Sequence, residues 1–130
     1  MKVMFACLCD HAAADSQGKL SVNGIFDRIN APGFPTRHGK MFLVFRLMFE
    51  YEDNDKAHSF TFSLVDADNR KYLEAEADLQ HPRVLPGQFL TFNQIVELND
   101  VVIAKPGRYT FVLEADGQEA FRVPFDAGKA

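Results

Sequence analysis

Apolar and polar residues alternate with period two along most of the chain, in runs separated by turn-forming residues. Phe60-Thr61-Phe62-Ser63-Leu64 and Tyr109-Thr110-Phe111-Val112-Leu113-Glu114 show it most plainly. Successive side chains of a strand project to opposite faces of a sheet, so this rhythm specifies strands with one buried and one wetter face. No segment carries the wider period of an amphipathic helix. The pattern constrains architecture far more than chemistry.

Turn signals divide the chain into about eight strands. Val3 to Cys9 is the first and Gly18 to Gly24 the second, with His11 to Gly18 expected as a polar loop between them. Asn23-Gly24 has turn chemistry, but Ile25-Phe26-Asp27-Arg28-Ile29 resumes an apolar pattern at once, so a bulge or bend is expected at Gly24 rather than a reversal. Asn30 to Gly39 holds two prolines and two glycines and reads as a loop. Met41 to Tyr51 is the strongest strand, apolar on both faces and therefore expected at the centre of a sheet. Ala57 to Val65 follows, then Lys71 to Asp78 as a thinner edge strand, Gln88 to Leu98, and a short apolar piece from Val101 to Ala104. Arg108 to Ala115 and Glu119 to Phe125 flank Asp116-Gly117 as a terminal hairpin.

Short strands joined by hairpins, with long connections near residues 30–40 and 79–87, point to an all-β fold. The expected form is an antiparallel two-sheet β-sandwich, immunoglobulin-like or C2-like. Pro106-Gly107-Arg108-Tyr109-Thr110-Phe111 resembles the entry to a late strand of immunoglobulin-like sandwiches, where a tyrosine bonds back to an upstream carbonyl. Residues 1–126 are expected to form one domain and 127–130 a short flexible tail, and no segment approaches the ~20 apolar residues of a helical membrane span.

Thirteen phenylalanines and no tryptophan imply a core with few polar atoms to satisfy. The formal net charge is -4 and the cations are scattered, which argues against nucleic-acid or membrane-surface partners. Cys7 and Cys9 share one face of a strand, and a bridge between them would strain the backbone. They read as small buried hydrophobes of a reducing, cytoplasmic compartment.

Lys2-Val3-Met4-Phe5-Ala6-Cys7-Leu8-Cys9-Asp10, Gly18-Lys19-Leu20, Gly24 to Ile29, the closing Pro106-Gly107-x-Tyr109-x-Phe111 and Asp116-Gly117 together resemble a family of small, functionally uncharacterised bacterial all-β proteins. The resemblance implies a bacterial cytosolic all-β protein and brings no catalytic residues with it.

Candidate chemistry is sparse. His11, His38, His58 and His81 lie apart in the sequence without metal-ligand spacing, and read as solvated loop or turn residues. Asp10-His11 are adjacent and diverge on a strand, and Ser16 lacks any nucleophile context. The acidic turns around Asp53-Asn54-Asp55 and Asp66-Ala67-Asp68 offer calcium-type oxygen ligands, and Leu64-Val65-Asp66-Ala67-Asp68 looks like the Asp-x-Asp of calcium-binding C2 sandwiches. The two turns stand roughly 30 Å apart along the intervening strand and cannot share an ion. A site would need Asp66 and Asp68 to recruit Asp100 or residues near His38. Turn preference explains the same residues without a ligand.

The row Phe42, Val44, Arg46 and Met48 on the second face of the strongest strand is the candidate interaction surface. If the domain covers both faces these are core residues; if not, they form an apolar patch around an arginine, suited to self-association or a partner. The chain is accordingly expected to be a non-enzymatic protein-interaction module without a cofactor, its partner either another protein or further copies of itself in a homo-oligomer. A calcium- or small-ligand-binding sandwich using its end loops is the alternative, and an enzyme whose residues converge only in three dimensions is the third reading. Histidines clustered with acids in a cleft would favour the enzyme, and converging carboxylates would favour calcium.

Overall fold

The computed structural model describes residues 1–130 and is all-β, with nine strands and a single 3-10 turn, Tyr51–Asp53. The strands are β1 (Lys2–Ala14), β2 (Leu20–Ile25), β3 (Arg28–Ala31), β4 (Thr36–Glu50), β5 (His58–Asp66), β6 (Lys71–Leu79), β7 (Phe89–Ile103), β8 (Gly107–Ala115) and β9 (Gln118–Lys129). One sheet has the order β2-β1-β4-β7 and the other β3-β9-β8-β5-β6.

The alternating faces bury as the period demands. Met41, Leu43, Phe45, Leu47 and Phe49 of β4 all lie inside. The main cluster joins Leu8, Met41, Leu43 and Ile103 of the first sheet to Leu64, Tyr109, Phe111 and Phe125 of the second. A second cluster joins Phe45, Leu47 and Phe49 to Phe60 and Leu113 across the same interface. The two sheets therefore pack face to face through apolar side chains, and β4 takes a neighbour on each side, β1 and β7.

Several boundaries differ from the expected ones, each for an identifiable reason. β1 does not stop at Cys9: its alanines pair with β2, Ala12 with Val22 and Ala14 with Leu20, although alanine has little strand preference of its own. Val101 to Ile103 is the end of β7, carried past Asp100, whose backbone sits at φ +54°. The segment read as a loop from Asn30 to Gly39 contains the end of β3 and the start of β4. Residues 127–129 are no tail. They finish β9 and pair in parallel with β3, Ala127 with Ile29 and Lys129 with Ala31, so the sheets are not purely antiparallel.

Gly24, where a bend was expected, lies within β2, whose Ile25 still pairs with Cys9, and the chain changes sheets just beyond it at Phe26 and Asp27, from β2 in the first to β3 in the second. Gly24 has φ +69°, and a Cβ there would lie 2.5 Å from Asp10 Oδ2, so any larger residue would be strained and would have to displace the Asp10 side chain. The crossing is fastened to both sheets, Phe26 N–H donating to Leu8 O and Asp126 N–H to Asp27 O.

Tyr109, almost wholly buried, donates from Oη to Lys105 O at 2.7 Å, the bond anticipated from Pro106-Gly107-Arg108-Tyr109. It pins the β7–β8 connection to the core. Replacing Tyr109 by Phe deletes that bond while keeping the ring, and urea unfolding should show a loss of about 1 kcal/mol without a change of fold.

Candidate interaction surface

β1 divides its length between two partners. Lys2 to Cys9 pairs with β4, while Cys9 to Ala14 pairs with β2. β2 and the end of β1 thus form a hairpin whose tip reaches across β4 to β7, where Asn93 Nδ2 donates to Gly18 O at 3.0 Å. Under this hairpin lies a small third cluster of Cys7, Cys9, Ala12, Phe42 and Val44, with Leu20, Val22 and Ile95 packed against it. The ring of His11 stands edge-on to that of Phe42.

Phe42 and Val44 are therefore core residues, 7% and 0% exposed, and cannot belong to an open patch. The apolar second face of β4 is met by a lid from the same chain. Only Arg46 and Met48 of the candidate row remain partly exposed. Arg46 is held by neutral acceptors, Nη1 donating to Asn93 Oδ1 at 2.7 Å and Nη2 to Thr91 Oγ1 at 3.0 Å. Cys7 and Cys9 are free and buried as expected, and burial, then the neighbouring Cys9, pushes the Cys7 thiol up to about 11.

The acidic turns serve the backbone. Asp66 Oδ1 accepts from the N–H groups of Asp68 and Arg70, and Oδ2 accepts from Tyr72 Oη at 2.8 Å. Asp68 instead lies 3.8 Å from Lys105, and Asp100 is an exposed kink residue of β7. No three His, Cys, Asp or Glu side chains are placed to hold a metal ion, so Asp66, Asp68 and Asp100 are not brought together as a site.

Two histidines do cluster. His58 is buried, not solvated, with Nδ1 3.1 Å from Asp116 Oδ2 and Nε2 3.4 Å from the Asp53 carbonyl oxygen. His81 stacks on Phe49, with Nε2 3.1 Å from the same carbonyl oxygen and Nδ1 2.8 Å from Pro82 O. Every ring nitrogen of the pair thus lies within 3.4 Å of an oxygen of the chain. His58, His81, Asp53 and Asp116 form a clasp that ties the β4–β5 and β6–β7 connections to the β8–β9 turn. His11 and His38 lie elsewhere, beside Phe42 and Phe26.

The feature that the sequence pattern concealed is the free edge of β7. This strand runs for 15 residues with β4 as its one neighbour, and between Phe89 and Asn99 its sole charge is Glu97, bound to Lys40 at 2.7 Å. β6, the edge of the other sheet, carries Glu74, Glu76 and Asp78 on alternate positions. Between the two edges a slot of about 90 Å³ opens between the sheets, lined by Phe45, Leu47, Phe60, Phe62, Ala77, Leu79, Phe92 and Val96, with Gln94 and Asp78 completing its wall. Phe92 remains 36% exposed there.

Among family models, one described as a family of unknown function (DUF6941) matches residues 4–128. Comparison with curated proteins finds no match.

The turn carboxylates contribute to the acid behaviour of the domain, as do Glu97 beside Lys40 and Asp126 beside Arg108. Asp66 is held below the usual carboxylate range by the Tyr72 hydroxyl, against the opposing effect of burial, with help from the Arg70 and Asp68 N–H groups. Asp116 is lowered by the Ser59 N–H first, against burial, and then by His58. For Asp53 burial is the largest single influence and pushes upward, but the Glu50 N–H, the Met1 amino group and His58 together outweigh it. A depressed carboxyl contributes stability above its unfolded pKa of about 3.9 and loses it as pH falls through the folded value. Denaturation midpoints should therefore fall steeply below about pH 4, and Asp66→Asn should flatten that slope.

Proposed function

We propose that this chain, which belongs to the family of unknown function DUF6941, is a β-sandwich that works through protein–protein contact, taking an extended strand of its partner onto the edge of β7. The observation that carries the reading is the contrast between the two neighbouring edges. An unpaired strand offers its N–H and C=O groups as a template, and chains that need to stay apart blunt such edges with charge, proline or short length. β6 carries three acids in nine residues, whereas β7 carries two, Glu97 and Asp100, in fifteen, and has neither lysine nor proline.

Strand addition supplies affinity through the backbone and specificity through alternate side chains. On β7 the residues facing the opposite sheet are Leu90, Phe92, Gln94, Val96 and Leu98, paired with Phe49, Leu47, Phe45, Leu43 and Met41 of β4. An added strand would extend this inner surface over the open slot and seal it with an apolar side chain. Its other face would meet Arg46, whose guanidinium is fixed by Thr91 and Asn93 with no acid among its acceptors. The partner segment that fits is extended, apolar at every second position, and carries an acid on its intervening face. No catalytic group is needed for this work, and the histidine clasp closes the end of the slot where His58 pairs with Leu79 and His81 stacks on Phe49.

A synthetic peptide alternating valine with threonine and bearing one glutamate is the probe. It should bind the intact chain, read by fluorescence polarisation, and Phe92→Lys should weaken binding roughly tenfold or more, about 1.4 kcal/mol. Gln94→Lys, at an already polar position, should act the same way with the unfolding transition preserved. Equal binding by the parent and both folded variants would sink the reading.

A further inference from the structure

We infer that the strand received by β7 is the β7 of a second copy of this chain, paired antiparallel about Gln94. The inference rests on the strand-docking reading above and names its occupant. It follows from the self-complementarity of the edge.

An antiparallel pair places directly opposed residues on the same face of the sheet, so a two-fold axis through Gln94 keeps the inner face of one copy continuous with that of the other. In this register Leu90 faces Leu98 and Phe92 faces Val96, so the inner positions flanking Gln94 pair apolar with apolar. On the outer face Glu97 of each copy stands opposite Thr91 of the other. Thr91 Oγ1 already accepts from Arg46 Nη2, so the incoming carboxylate, which keeps Lys40 of its own chain at 2.7 Å, arrives beside a guanidinium positioned in advance, twice per dimer. Shifting the register by two residues, so that Ile95 faces Ile95, would oppose Leu90 to Asp100 and lose that match.

The same symmetry deals with the slot. Phe92 is inward-facing yet 36% exposed, and Val96 lines the cavity wall. Each copy's Phe92 would lie over the other's Val96 and close the opening between β7 and β6. The acids of β6 keep the second sheets from joining, so the dimer would share one eight-stranded sheet, four strands from each copy, with the second sheets left separate.

Disulfide trapping tests the register directly. Opposed Cα atoms in an antiparallel pair are about 5 Å apart, within the span of a disulfide. Gln94→Cys should therefore cross-link to itself under mild oxidation. Glu97→Cys alone should not, whereas an equimolar mixture of Thr91→Cys and Glu97→Cys chains should form the mixed dimer. The native thiols are buried and will not compete. Sedimentation should give twice the chain mass for the parent, and Arg46→Glu should raise the dissociation constant roughly tenfold or more. A parent of single-chain mass, with no trapping at Gln94→Cys, overturns the self-pairing; the peptide probe then still reports on strand docking. A dimer that traps only at other positions, or that ignores Arg46→Glu, overturns this register.

Discussion

The structure depends on burying both faces of β4. One face is the ordinary inner surface of a sheet, and Met41, Leu43, Phe45, Leu47 and Phe49 fill it against the second sheet. The other face carries Phe42 and Val44, and leaving such side chains in water forfeits about 1.5–3 kcal/mol each. β1 meets this demand by leaving β4 after Cys9 and carrying β2 back over the outer surface, so that Leu20 and Val22 land on the small cluster below. The lid is held at its far end by Asn93 on Gly18. Cys7 and Cys9 sit in this cluster as packing residues, their thiols removed from solvent and from redox chemistry alike.

Apart from Ser63 in the middle of β5, the buried polar side chains lie at the ends of the sheets, where they organise turns. With a core built largely from phenylalanine, leucine and valine, the buried polar side chains are few, namely Asp53, His58, Ser63 and Asp66, and none of their buried atoms is left without a partner. Asp66 closes its turn through three hydrogen bonds, and Asp116 binds both the Ser59 N–H and His58. A carboxylate whose lone pairs are spent on backbone N–H groups and a tyrosine is poorly placed to capture a cation. The acidic turns and the histidine pair thus hold the ends of the sheets closed.

What remains for contact with other molecules is decided at the edges. β2 and β3 are short, and β6 is acidic. β7 alone combines length, apolar character and an unpaired backbone, beside an arginine held in place by its own residues. The proposed interaction surface thereby lies one strand away from the one expected on the outer face of β4, keeping Arg46 and losing Phe42 and Val44.

The local pattern by itself determined the all-β class, most of the hairpins, the central place of β4 and the Tyr109 bond, because each follows from side-chain period or from backbone preferences of a few adjacent residues. The alanine-rich end of β1, the junction at Asp100 and the closing residues of β9 were hidden, since their strand conformation comes from partners distant in sequence: Leu20 to Val22, the start of β4, and β3. The clasp of His58 and His81 was likewise invisible, because it joins connections that meet only at one end of the packed sheets. The same limit governs the proposed site. A sequence shows that a strand is apolar on both faces, but whether a face is covered and whether an edge is free depend on strand order, and strand order is settled only when the two sheets pack and every strand has found its neighbours.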